Sequence, residues 1–249
     1  MNTLDKALRI LTLLGESRCE LSAADIARSL ALPRSTAYRH ILALKSQGLV
    51  EEDPGTGRLR LGARLLQLAG GVRRQGLVEV ALPQMERLVA ETGETVILAG
   101  LHGTSGICLE RVEGHHALRV SHERGAIFPL HAGATGKVLL AYLPREDQER
   151  IIAQGLPRFT ATTITAPGEL RAELATIRRL GYAESDGEVI PYTYGLAAPI
   201  LTGADRIVAA LGASAPSTRL DAKSKGPFLK ELSATARAIA RELVGQDAN

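Results

Sequence analysis

The chain has 249 residues, enough for two domains, with 45% apolar side chains and a formal net charge of +3. It has no apolar run long enough to cross a bilayer and no signal-peptide pattern near Met1, so a cytoplasmic protein without membrane partners is expected. The isolated Cys19 and Cys108 suggest neither a disulfide framework nor a zinc-ligand spacing.

Charge is unevenly spread. Residues 1–75 hold 12 Lys/Arg against 7 Asp/Glu, whereas residues 76–249 hold 18 against 20, so nucleic-acid contact is expected only of the N-terminal part. Leu4, Leu8, Leu11 and Leu14 follow the helical period, with Ile10 and Leu13 broadening the stripe, and predict a first helix ending near Gly15. Ser22 and Asp25 have capping-box spacing and start a second helix, in which Ile26 and Leu30 share a face. Ala31-Leu32 makes a short turn. Pro33 suits the first position of a third helix, with Ala37, Ile41 and Leu44 inward and Gly48 as a left-handed C-cap. Arg34, Ser35, Thr36, Tyr38, Arg39 and Lys45 are left for the outer faces. Such a basic, hydroxyl-bearing helix suits a DNA major groove.

Two strands are predicted around the turn Asp53-Pro54-Gly55-Thr56-Gly57. In the second, Leu59 and Leu61 point inward, and Arg58 and Arg60 are offered to phosphates. Residues 1–62 therefore read as a winged helix-turn-helix. A linker helix is placed at 63–77, carrying Leu65, Leu66 and Leu68. Gly70-Gly71 weakens it and is a candidate hinge.

Residues 78–249 read as a mixed α+β domain around a largely antiparallel sheet. The expected order is a helix over Val80–Thr92, a hairpin spanning Thr95–Val112, and short strands at 118–120 and 127–128. A glycine-rich turn then enters a helix near Gly133. Further helices are placed at Arg145–Ala153 and Pro167–Leu180, with strands at Gly195–Leu201 and Ile207–Ser214 and a closing helix over Phe228–Val244.

Ala132–Lys137 lacks the outer residues of a phosphate loop, with His131 and Val138 where Gly and Ser/Thr are required, so nucleotide hydrolysis is not expected. The stretch can still present helix N-terminal amides to a small anion such as a carboxylate, or serve only as a tight turn. Gly212-Ala213-Ser214-Ala215-Pro216 misses the last glycine of a nucleophile elbow. His115, His116 and His122 read as a solvated loop rather than a metal site, and Glu184, Asp186 and Glu188 as a solvated edge. No cofactor is implied. An enzyme with an accessory docking domain is the alternative reading, but no nucleophile–base pair is visible.

Taken together, the stretches Ser22–Leu30, Leu32–Arg39, Leu59–Gly62, Thr92–Thr95, Pro129–Lys137, Gly181-Tyr182 and Leu196–Pro199 resemble the IclR family of bacterial transcriptional regulators over nearly the whole chain. The resemblance implies a winged helix domain, a dimerising linker helix and a GAF-like effector-binding domain. It implies homodimers or tetramers on palindromic double-stranded DNA operators, and small organic-acid effectors, often aromatic or catabolic. It points to Leu118, Leu130, Gly133, Ala134, Asp186, Gly195, Leu196 and Ser214 as effector-binding residues.

Overall fold

The computed structural model describes residues 2–17, 19–70, 75–117, 122–203 and 205–246. The chain divides into two compact units, residues 1–75 and 76–249.

The first unit begins with α1 (Thr3–Glu16), α2 (Ala23–Ser29) and α3 (Arg34–Ser46). Ser22 and Asp25 close the expected capping box, with Asp25 N–H donating to Ser22 Oγ at 3.1 Å and Ser22 N–H to Asp25 Oδ2 at 3.2 Å. Asn2 and Asp5 form a second such box on α1. Ile10, Leu14, Ile26, Leu30, Ile41, Leu44, Val50 and Leu59 make the core. The buried stripe of α1 thus runs through Ile10 and Leu14. Leu4 and Leu8 lie on the opposite side and are 64% and 52% exposed, contrary to the sequence reading. Pro33 is the N-cap of α3 rather than its first residue, and Ala31 in the preceding turn takes a left-handed φ of 51°.

The wing is an antiparallel pair, β1 (Val50–Glu52) and β2 (Leu59–Leu61). Its turn is tied by Asp53 Oδ1, which accepts from Gly55 N–H, Thr56 N–H and Thr56 Oγ1 at 2.8–3.0 Å. Leu59 is buried under the bridge that Leu21 makes to it, whereas Leu61, also expected inward, is 37% exposed. Gly48 has φ +68°, and Leu49 N–H donates to Leu44 carbonyl at 3.0 Å, a Schellman closure of α3. The wing returns across that closure, and Gly62 N–H donates to Leu49 carbonyl at 2.9 Å. A Cβ at Gly62 would overlap the Gly48 carbonyl. Gly62→Ala is therefore expected to lower stability by about 1–3 kcal/mol, read as a shift of the urea midpoint. A midpoint equal to wild type would show that this crossing yields freely.

Helix α4 (Arg64–Gly70) follows the wing, and α5 (Gln75–Thr92) opens the second unit. The linker stretch 63–77 thus holds α4 and the start of α5, and the second glycine of the proposed hinge, Gly71, lies outside the described residues. Helix α5 begins earlier than its apolar spacing suggested and runs through an exposed Pro83.

Among the described residues six antiparallel strands follow: β3 (Val96–His102), β4 (Ser105–Val112), β5 (Ile127–Phe128), β6 (Ala183–Asp186), β7 (Thr193–Thr202) and β8 (Arg206–Pro216). Their order in the sheet is β5-β4-β3-β8-β7-β6. The strand expected at 118–120 lies outside the described residues. Helices α6 (Ala134–Ala141), α7 (Arg145–Ala153) and α8 (Pro167–Leu180) pack with one face of the sheet around Val138, Leu139, Leu140, Leu170 and Leu174. Helices α5 and α9 (Lys225–Gln246) cover the other face, around Met85, Leu88, Leu98, Leu196, Leu211 and Ile239. The spacing of Leu170, Leu174, Ile177 and Leu180 predicts one apolar stripe on α8; the first three are buried, whereas Leu180 is 45% exposed next to the left-handed cap Gly181.

Candidate functional site

Two surfaces collect the residues singled out from sequence. The first is α3. Its N-terminus has no side-chain cap and no acidic residue in the first turn, so the leading amides and the helix dipole are open to an anion. Arg34, Ser35, Tyr38 and Arg39 are exposed along it, and Thr36 is half-buried. Among the described residues neither Arg34 nor Arg39 has an ion-pair partner. The other three basic residues are held inside the unit. Lys45 pairs with Glu52 on the wing. Arg58 Nη1 donates to the Glu20 carbonyl at 2.8 Å. Arg60 lies between Glu20, at 3.2 Å, and Glu51, at 3.4 Å. Glu51 also accepts from Ala63 N–H at 3.1 Å, and that bond, with Arg60, holds its carboxyl below the usual carboxylate range. The wing arginines are thus oriented within the unit, Arg60 by two carboxylates and Arg58 by a main-chain carbonyl.

The second surface is a cavity of about 250 Å³ in the second unit. This is slightly below the range of ~300–1,000 Å³ usual for small-molecule sites. It lies where α6 begins over the sheet. Ser185, Gly195 and Ser214 stand in one row across β6, β7 and β8 and all line it. Glycine at 195 keeps the row low, since a Cβ there would crowd Ser214 Oγ at 3.3 Å and Ala134 at 3.5 Å. Gly212 lets Thr135 sit on the sheet, and Gly136 lets α6 start against the Pro129 carbonyl; a Cβ at either would overlap those atoms. Gly133, Ala134, Thr135 and Gly136 all line the cavity, so the first amides of α6 stand at its wall. Thr95 and Thr193 add hydroxyls, and Ile97, Ile127, Phe128, Val189 and Ile190 add apolar surface.

His122 also lines the cavity, stacked on Phe128 with ring centroids 4.7 Å apart. Burial holds its pKa below the usual histidine value, which favours the neutral ring. The segment carrying it is stitched to β4: Arg124 pairs with the buried Glu110, Arg111 donates to Glu123 at 2.7 Å, and Cys108 N–H donates to Ala126 carbonyl at 2.9 Å. Cys108 itself is buried, and desolvation pushes its thiol up to about 11.

Lys137, one turn into α6, is 1% exposed. Its Nζ donates to Glu188 Oε1 at 2.5 Å and to Glu173 Oε1 at 2.8 Å. Glu188 Oε2 accepts from Gly133 N–H at 2.9 Å. One helix-start amide expected for an external anion is therefore taken by a carboxylate of the chain. Glu188, expected on a solvated edge, is buried as well.

Of the eight sequence-predicted effector residues, Gly133, Ala134, Gly195 and Ser214 meet at the cavity. Leu196 does not: strand alternation turns it to the opposite core with α5 and α9. Asp186 follows Ser185 on β6 and is exposed for the same reason. Leu130 packs into the core around α6 rather than onto the cavity wall. Leu118 lies outside the described residues. Thr95, Thr135, Ser185, Thr193, His122 and Phe128 were missed. Thr135 was visible inside the glycine-rich turn, but the others come from separate strands and loops that only the sheet brings together. His115, His116 and His122 do not converge, and no metal-holding group occurs among the described residues.

Comparisons with known proteins agree with this architecture. Residues 3–54 match the profile described as the IclR helix-turn-helix domain, and residues 69–241 match that described as the bacterial transcriptional regulator IclR C-terminal domain. The chain is 35% identical to the HTH-type transcriptional regulator BhcR of Paracoccus denitrificans, over 98% of this chain and 86% of that protein. It is 32% identical to the HTH-type transcriptional repressor AllR of Escherichia coli, over 96% of this chain and 89% of the repressor. Among solved structures, an IclR homolog from Microbacterium hydrocarbonoxydans complexed with 4-hydroxybenzoate superposes with a TM-score of 0.88 at 33% identity, covering 98% of this chain and 100% of that one.

Proposed function

The chain belongs to the IclR family of bacterial transcriptional regulators, and on that premise we propose that its operator binding is controlled by a small aromatic carboxylic acid held in the cavity at the start of α6. It is a DNA-binding regulator with a helix-turn-helix and an effector domain, and not an enzyme. The observation that carries the effector reading is the composition of the cavity. Amides of a helix start and a row of hydroxyls stand at one wall, beside an apolar wall that includes the stacked His122 and Phe128. The amides suit a carboxylate, and the apolar wall suits a flat hydrocarbon body. The 4-hydroxybenzoate in the Microbacterium homolog supports the same ligand class here.

In this reading α3 enters the major groove. Arg34, Ser35, Thr36, Tyr38 and Arg39 lie along bases and phosphates, and Arg58 and Arg60 on the wing, with Lys45, approach the backbone. Leu4, Leu8, Leu61, Leu66 and Leu68 are exposed apolar side chains of the first unit. A second copy covering them would pair two heads on a palindromic operator, as a homodimer or as a tetramer of two dimers. The domain limits 1–62, 63–77 and 78–249 assign the linker stretch to transmitting the effector signal.

The test is fluorescence anisotropy on the DNA upstream of the chain's own gene against a scrambled duplex, across a salt series, with and without 4-hydroxybenzoate. Preference for the native duplex at physiological salt, changed by the ligand, is the expected result. Equal and steeply salt-dependent binding to both duplexes, indifferent to ligand, would leave only phosphate contacts and defeat the reading.

A further inference from the structure

We propose that Glu188 sets the charge selectivity of the effector cavity: by cancelling the buried Lys137, it restricts the site to ligands with a single negative charge, held by amides and hydroxyls rather than by a cation. This rests on the effector reading above.

Among the described residues that line the cavity there is no Lys, Arg, Asp or Glu. The cation placed directly behind the wall is Lys137, one turn along α6 from Ala134. Its ammonium is bonded to Glu188 at 2.5 Å and to Glu173 at 2.8 Å. The Glu188 carboxylate reaches from Lys137 to the Gly133 amide, so it stands between the buried ammonium and the start of the helix. An unpaired lysine at this position would attract polyanions as readily as monoanions. Glu188 and the partly exposed Glu173 together outweigh the ammonium by one negative charge, so the positive field left at the wall is that of the α6 terminus alone, worth about half a charge. That suffices for one carboxylate. A second ligand carboxylate would be pressed against Ile97, Ile127, Phe128 or Ile190 without a partner, and an unpaired charge so desolvated is strongly disfavoured.

The backbone around Glu188 is clamped independently of its charge. Thr163 Oγ1 donates to the Glu188 carbonyl at 2.6 Å and Thr160 Oγ1 to the Gly187 carbonyl at 2.7 Å. A glutamine at 188 keeps the shape but has one acceptor oxygen, for the Gly133 amide or for Lys137 and not for both, so Glu188→Gln removes the charge together with one of the two hydrogen bonds.

Isothermal titration of the full chain and of Glu188→Gln with benzoate, benzamide and terephthalate tests this. The wild type is expected to prefer benzoate to both of the others. Glu188→Gln should raise the benzoate-to-benzamide affinity ratio about tenfold, since one negative charge has left the wall. A role in packing alone would instead weaken all ligands together. An unchanged or lowered ratio, or terephthalate binding as tightly as benzoate to the wild type, overturns the proposal. Glu173→Gln, at a partly exposed position, should move the ratio the same way by a smaller step, which keeps the test available if Glu188→Gln does not fold; no movement there counts against the proposal. Wild type binding none of the three would defeat the effector reading itself, whereas binding with an unchanged ratio defeats only the role of Glu188.

Discussion

Lys137→Met is expected to destabilise the second unit by about 3–5 kcal/mol. The substitution fills the space of the side chain but leaves the Glu188 carboxylate, 6% exposed, without its cation. Glu173 is partly exposed and can turn to water, but among the described residues the Glu188 carboxylate keeps only the Gly133 amide as a partner. Leaving an uncompensated buried carboxylate is among the few single changes with so large an effect. The double variant Lys137→Met/Glu188→Leu should recover most of the loss, because replacing both members of a buried pair by apolar groups is often nearly neutral. Urea unfolding followed by circular dichroism measures both. A single variant within about 1 kcal/mol of wild type would mean that water reaches Glu188 and that the network is not dry.

Arg39→Ala is expected to remove about 1–3 kcal/mol of discrimination between operator and scrambled DNA, if the guanidinium reads a base edge. Arg60→Ala should instead weaken all duplexes alike and flatten the salt dependence. The contrast follows from their surroundings. Arg39 is exposed on α3 with no ion-pair partner among the described residues. Arg60 is held by Glu20 and Glu51 on the wing, so part of its charge is already compensated, and its loss should be the milder of the two. Paired titrations of both variants on both duplexes decide the matter. An intact specificity ratio for Arg39→Ala would reduce it to a phosphate contact.

Much of the architecture was legible because it depends on local chemistry. The capping box at Ser22 and Asp25, the left-handed Gly48, and the apolar spacing of α8 and α9 are each properties of a few neighbouring residues. Hence the helix-turn-helix, the wing and the largely antiparallel sheet could be read in chain order. The α1 stripe was misread because leucines recur on two faces of that helix, and periodicity alone does not say which face is covered. Packing against α3 and β2 chose Ile10 and Leu14.

The candidate site divides along the same line. Amino-acid order by itself determined a third helix with Arg34 and Arg39 on its exposed side, a glycine-rich helix start at Gly133, and the family to which the chain belongs. Tertiary structure alone decided which residues meet there. Strand register put Ser185, Gly195 and Ser214 in one row and turned Leu196 to the far side, because a one-residue step along a strand reverses the face. It also brought Glu188, 51 positions along the chain from Lys137, into contact with the buried ammonium. No local pattern encodes that pairing. It arises because a charge taken out of water needs a partner, and folding supplies one from whichever segment arrives there.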